Sequence, residues 1–173
     1  TQALLDVFTI RRHRPDFANL RVAIVGDVRH SRVAHSTIHA LRTLGTTDIR
    51  VVGPTHFLPA DADALGVAAS GDIAHGLANA DVVMGLRIQR ERIEGDALAG
   101  VEDYHQQFGL TEANLAHAKN DALVMHPGPI NRGVEINADI AYGQQSVILE
   151  QVTNGIAIRM AVMAIIAGNR NAR

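Results

Sequence analysis

The sequence predicts an α/β domain, with a mainly parallel sheet and helices on both faces. Three observations predict it. Short, wholly apolar runs of the kind that form strands buried on both faces recur along the chain. Stretches with helical spacing of apolar residues lie between them, so strand and helix alternate. The 173 residues are 47% hydrophobic but only 3% aromatic, with no tryptophan, which leaves an aliphatic core of Ala, Val, Ile and Leu.

The elements follow in chain order. "TQALLDVFTIRRH" (1–13) sets Leu4, Leu5, Phe8 and, a little off the stripe, Val7 on one side at helical spacing, and its basic end suits a helix dipole. "LRVAIVGDV" (20–28) reads as a buried strand, followed by "SRVAHSTIHALRTLG" (31–45) as a helix that Ser31 caps and Gly45 ends. "DIRVVGP" (48–54) supplies a second strand, "ADADALGV" and "DIAHGLANA" two short helices, and "DVVMGL" (81–86) a third strand. The charged, weakly periodic "RERIEGDALAGVEDYHQQFGL" (90–110) is expected to be a mobile lid. "TEANLAHAK" (111–119) reads as a helix capped by Thr111, "ALVM" (122–125) as a fourth strand, and "TNGIAIRMAVMAIIAG" (153–168) as a long apolar helix. Such an order describes a Rossmann-like, doubly wound domain, in which ligands sit at the carboxyl ends of the strands.

Charge and composition narrow the function classes. A formal net charge of -2, with basic residues scattered among acidic ones, gives no footprint for nucleic acid or an anionic membrane. The absence of cysteine excludes disulfides, thiolate metal sites and cysteine nucleophiles. No secretory signal and no membrane-length apolar run is read, so the cytoplasm is the expected compartment.

Three strand ends are chemically loaded: "GDVRHSR" after the first strand, "LRIQRER" after the third and "HPGPINRG" after the fourth. They are expected to converge on one rim. Arg32, Arg87 and Gln89 each present planar donors to carboxylates, and arginine does so with permanent charge. In extended backbone Arg87 and Gln89 point to one side while Ile88 points back to the core. Pro127 and Pro129 lack N–H groups and restrict His126 and Gly128, so this loop offers carbonyl acceptors with few donors. A cis bond is expected between Gly128 and Pro129. His35 and His39 in "HSTIH" lie one helical turn apart, but without an intervening glutamate or a third ligand no metal site is expected. "VGDVRHSR" has one glycine and lacks dinucleotide-binding spacing, which leaves a degenerate nucleotide-binding module as one alternative. A non-catalytic domain that binds a partner chain through its apolar helices is the other.

Taken together and in order, "TQALLD…FTI", "VGDVRHSRVAHS", "LRIQRER" and "MHPGPINRGVEI", followed by "QQSVILEQVTNGIAIRMAV", resemble the aspartate carbamoyltransferase family across almost the whole chain. The sequence is also similar to ornithine carbamoyltransferases, but those carry a cysteine-containing motif where this chain has His126, Pro127, Gly128 and Pro129.

The resemblance implies that residues 1–173 are a single L-aspartate-binding domain, with 1–13 and 153–168 as interdomain helices. A carbamoyl phosphate domain on the N-terminal side is absent from these residues, so the chain by itself is expected to be inactive. The implied reaction is transfer of a carbamoyl group from carbamoyl phosphate to the amine of L-aspartate in pyrimidine biosynthesis, without cofactor or metal. A homotrimer or larger assembly is implied for the whole protein. Residue by residue, the resemblance has Arg32 and Arg87 grip the two carboxylates of aspartate, with Gln89 assisting. Gln2 donates towards or orients the carbamoyl group, and the carbonyls of Pro127 and Gly128, in the turn that Pro129 completes, hold N–H groups of the carbamoyl moiety or the attacking amine.

Overall fold

The computed structural model describes residues 1–89 and 100–170. Helix α1 (Gln2–His13) is followed by β1 (Arg21–Val25), α2 (Arg32–Thr43), β2 (Asp48–Val52), a 3-10 turn (Thr55–Phe57), α3 (Ala62–Leu65), β3 (Ala68–Ser70), α4 (Ile73–Leu77) and β4 (Val82–Gly85). Then come α5 (Val101–Phe108), α6 (Glu112–Leu115), β5 (Leu123–Met125), α7 (Ala138–Ala141) and α8 (Ile148–Arg170). The strands form one sheet in the order β3-β2-β1-β4-β5, and every neighbouring pair is parallel. The predicted α/β architecture is therefore present.

Strand alternation builds two cores. Val22 and Ile24 of β1, with Val82 and Met84 of β4, pack beneath Ile10 of α1 and Ile38 and Leu41 of α2. Ala23, Val25 and Val83 face the other way, towards Leu77, Tyr104, Phe108 and Leu115. Two-sided burial is why these strands read as unbroken apolar runs. The register aligns the strand exits: Val25 lies opposite both Val52 and Gly85, and Met84 opposite Met125. Ser31 accepts from Ala34 N–H to start α2, and Thr111 accepts from Asn114 N–H to start α6, as the cap residues predict.

Four readings of the sequence need correction. The stretch expected to be a lid contains α5, whose Tyr104 and Phe108 are buried in the second core, so residues 101–110 are a structural element. Their helical stripe is only two aromatics wide and its charged flanks masked it; residues 90–99 lie outside the described ones. Of the expected stripe on α1 only Leu5 is fully buried, with Val7 and Phe8 half-buried and Leu4 exposed; the rest of the buried side is Asp6, Thr9 and Ile10, because α2 and α8 meet it with polar groups of their own. The edge strand β3 was not expected: it is three residues of small side chains, mostly exposed, and only pairing with β2 defines it. Finally, α8 starts at Ile148, five residues before the expected Thr153, so that Ile148–Gly168 reaches a mean hydropathy of 1.4 and is long and apolar enough to cross a membrane by length and composition. Its first turns are nonetheless built into the domain, with Gln151 and Asn154 buried and hydrogen-bonded to α1. Val152 on the opposite side of these turns, and Ile156, Met160, Met163 and Ile165 beyond them, are exposed.

Candidate active site

The exits of β1, β4 and β5 are adjacent and level at the carboxyl edge of the sheet, so the three loaded loops share one rim. After β1, Gly26 takes a φ of 128° that favours glycine, and a Cβ there would stand 3.0 Å from Cβ of Leu86. The two exits therefore pass in direct contact. Asp27 is buried beside them and its Oδ1 accepts from both the backbone N–H and Nδ1 of His30, which curls the loop back towards Ser31. Arg32, the first residue of α2, is thereby held at the rim with its side chain exposed.

The exit of β4 is pinned from across the site. Ile88 is buried, while Arg87 and Gln89 are exposed, matching the expected alternation. Asn131 donates its side-chain amide to the Ile88 carbonyl at 2.9 Å, and a Glu135 oxygen faces the Ile88 N–H at 3.5 Å. The other Glu135 oxygen accepts from Asn131 N–H. One loop therefore fixes the backbone between the two donor side chains of the other. Among the described residues neither Arg32 nor Arg87 has an ion-pair or hydrogen-bond partner.

After β5, the Gly128–Pro129 bond is cis, as expected, and Gly128 has a φ of 69°. Pro127 and Pro129 have no N–H, and the one N–H between them, on Gly128, donates to Nδ1 of His126 at 2.9 Å. Every donor of this turn is thus absent or occupied, and its carbonyls are left as acceptors. Because Nδ1 accepts, the ring proton of His126 lies on Nε2, which faces the buried Glu135 at 3.3 Å. Below them the Tyr104 hydroxyl is buried without a hydrogen-bond partner among the described residues; burial first, then the charges of Glu135 and Asp27, hold its acidity well below that of an ordinary phenol.

A polar chain links this turn to α1. The His126 N–H donates to Oε1 of Gln151 at 2.9 Å, and Nε2 of Gln151 donates to Oδ1 of Asp6 at 3.0 Å. Nε2 of Gln2 donates to the same oxygen at 2.9 Å, and the Thr37 hydroxyl to Oδ2 at 3.1 Å. Burial pushes the Asp6 carboxyl up from its ordinary value, and the three hydrogen bonds oppose that shift. Sequence reasoning assigned no role to Asp6, Gln151, Glu135 or Tyr104. The available signal for Asp6 was a carboxylate one helical turn from Gln2 within an otherwise apolar stretch.

These three loops and the order of their motifs can be set against known proteins. The family description "Aspartate/ornithine carbamoyltransferase, Asp/Orn binding domain" matches residues 18–166. The chain belongs to this carbamoyltransferase family. Among solved structures, the carbamoyltransferase domain is similar to ornithine carbamoyltransferase from Pyrococcus furiosus, with a TM-score of 0.78 and 27% identity over 94% of this chain and 54% of that one. It is also similar to aspartate transcarbamoylase from Trypanosoma cruzi in complex with N-(phosphonacetyl)-L-aspartic acid, with a TM-score of 0.76 and 25% identity over 94% of this chain and 54% of that one. Ornithine carbamoyltransferase from Burkholderia thailandensis matches with a TM-score of 0.75 and 26% identity over 94% and 52%. The domain spans about half the length of these relatives, and they include proteins named for either amino acid.

Proposed function

We propose that this domain is the L-aspartate-binding half of an aspartate carbamoyltransferase. The observation that carries the choice of amino acid is the charge at the rim. Arg32 and Arg87 are cations without ion pairs among the described residues, matched in number to the two carboxylates of aspartate. Ornithine carries one carboxylate and a side-chain ammonium, and an ammonium calls for an acid. Among the described residues, the acids of this rim, Asp27 and Glu135, are buried and engaged by His30 and by Asn131 and His126. Gln89, on the same side as Arg87, adds a neutral donor.

In this reading the aspartate amine attacks the carbonyl carbon of carbamoyl phosphate. A C–N bond forms, the tetrahedral intermediate collapses, the C–O bond to phosphate breaks, and the amine loses a proton. The domain contributes position and charge rather than a nucleophile of its own. The arginines fix the carboxylates, and the Pro127 and Gly128 carbonyls accept from the reacting N–H groups. Carbamoyl phosphate is held by a second domain, which packs on the exposed apolar side of α8 and the groove of about 290 Å³ between α1 and α8 lined by Leu4, Val7, Phe8, Ile158 and Val162. An assembly of several copies and a cytoplasmic setting accord with the family but are carried by no contact here.

The test is product formation with the carbamoyl phosphate half supplied, fused or co-expressed. Carbamoyl aspartate should form from L-aspartate, and no citrulline from L-ornithine. Citrulline without carbamoyl aspartate would overturn the choice of amino acid while leaving the family intact.

A further inference from the structure

We propose that Asp6 and Gln151 are positioning residues that set the orientation of the Gln2 amide and of the carbonyl-bearing turn after β5 as one unit. The inference rests on the proposed function and on the expectation, from the family resemblance, that Gln2 donates towards or orients the carbamoyl group.

The polarity of the network is anchored by a backbone group. The His126 N–H can only donate, so the end of Gln151 that meets it at 2.9 Å is the carbonyl oxygen. That leaves the NH₂ end of Gln151 for Asp6, at 3.0 Å. An ionised carboxylate only accepts, so the Gln2 end that meets the same Oδ1 at 2.9 Å is also NH₂. Oε1 of Gln2 must then face away from Asp6, and among the described residues it has no hydrogen-bond partner. Gln2 therefore presents an acceptor, so of its two expected roles, donating towards or orienting the carbamoyl group, this reading keeps the second. A carbamoyl NH₂ offers two donors, and Oε1 of Gln2 with the carbonyls of the Pro127–Gly128 turn would accept them from α1 and from the end of β5.

The same two residues tie those acceptors together. Gln151 holds the first residue of the turn, Asp6 holds Gln2, and a single 3.0 Å hydrogen bond joins them across α1 and α8. Thr37 on α2 completes the Asp6 carboxylate, so α1, α2, α8 and the end of β5 all contribute. Asp6 and Gln151 are both buried, so this frame exists before any substrate arrives.

A double-mutant cycle tests the proposal in protein complemented with the carbamoyl phosphate half. Gln2→Ala, Asp6→Leu and the pair are compared for kcat and for KM of aspartate. Asp6→Leu should lower kcat roughly 10- to 100-fold, the scale of a small misplacement, with KM for aspartate within about twofold. In the Gln2→Ala background its further effect should be clearly smaller, because only the turn after β5 is left for it to orient. Asp6→Asn, which keeps one oxygen for both glutamine amides, should recover kcat to within about threefold of the parent. If Asp6→Leu does not fold, Gln151→Met takes its place in the cycle. Additive losses, or equal losses from Asn and Leu at position 6, overturn the positioning role. A Gln2→Ala protein with unchanged kcat overturns the assignment of Gln2 first, and the proposal with it.

Discussion

The two ends of the sheet carry the same residue types and use them differently. At the amino end, where strands begin, charges are paired. Arg21 and Arg50 share Asp48 at 3.3 and 2.9 Å, Lys119 meets Asp81 at 2.6 Å, and Arg14 meets Asp121 at 2.7 Å. At the carboxyl end, Arg32 and Arg87 have no such partner among the described residues, and Asp27 and Glu135 beside them are turned inward. Both sets of cations reach solvent, so neither exposure nor charge count separates them. What separates them is whether the fold itself supplies the counter-charge. Paired charges at strand starts contribute to stability, and cations left open at strand ends suit a ligand that brings its own carboxylates.

The comparison breaks or holds on five substitutions. The largest effect is expected at the carboxyl rim. Arg87→Ala and Arg32→Ala each remove charged hydrogen bonds worth about 1.5–3 kcal/mol, so KM for aspartate should rise by roughly 10- to 150-fold with the thermal midpoint unchanged. A comparable loss of stability instead would show that the rim arginines are structural.

Next is Tyr104→Phe, which removes a buried hydroxyl that has no partner among the described residues, beneath the same rim. Relief of its desolvation should raise stability by about 1 kcal/mol, read as a higher urea midpoint at unchanged slope. A lower midpoint would mean that the hydroxyl is satisfied in the folded protein.

At the amino end, Asp81→Asn should cost less than about 1 kcal/mol, because Lys119 is well exposed and solvent screens the pair. Burial alone would raise the Asp81 carboxyl, but hydrogen bonds from Lys119 and the Arg21 N–H outweigh it and hold it below 3.8. A depressed acid stabilises the fold above its unfolded value and loses that contribution as pH falls through the folded one. Parent and variant should therefore differ in stability near neutrality and converge below pH 3.8, and a difference that grows in acid would contradict the pairing. The smallest effect is expected for Arg21→Ala, which should change stability by less than about 0.5 kcal/mol and leave KM for aspartate alone.

Much of this asymmetry was legible in the sequence. Long apolar runs and cap residues such as Ser31 and Thr111 mark strands and helix starts because their causes are local. Arg32, Arg87 and Gln89 could be singled out from their offsets to strand ends, and Pro127 and Pro129 from the missing N–H groups. Pairing was not legible. Nothing in the local pattern at Asp48 or Asp81 says that each meets a cation brought by another element, 27 and 38 positions away for Arg21 and Lys119. The Asp6 network was hidden for the same reason, since Gln151 is 145 positions from Asp6 and a polar residue on a buried helix face looks like a break in the stripe. The short edge strand β3 and the two-aromatic stripe of α5 likewise depend on what packs beside them.

The central claim is that the open cations of the carboxyl rim are the aspartate site. A crystal structure of the domain, complemented with a carbamoyl phosphate half and bound to N-(phosphonacetyl)-L-aspartic acid, tests it most directly. The two aspartate carboxylates should lie at roughly 2.7–2.9 Å from the guanidinium groups of Arg32 and Arg87. An analogue held elsewhere, or one whose carboxylates touch neither arginine, would contradict the account.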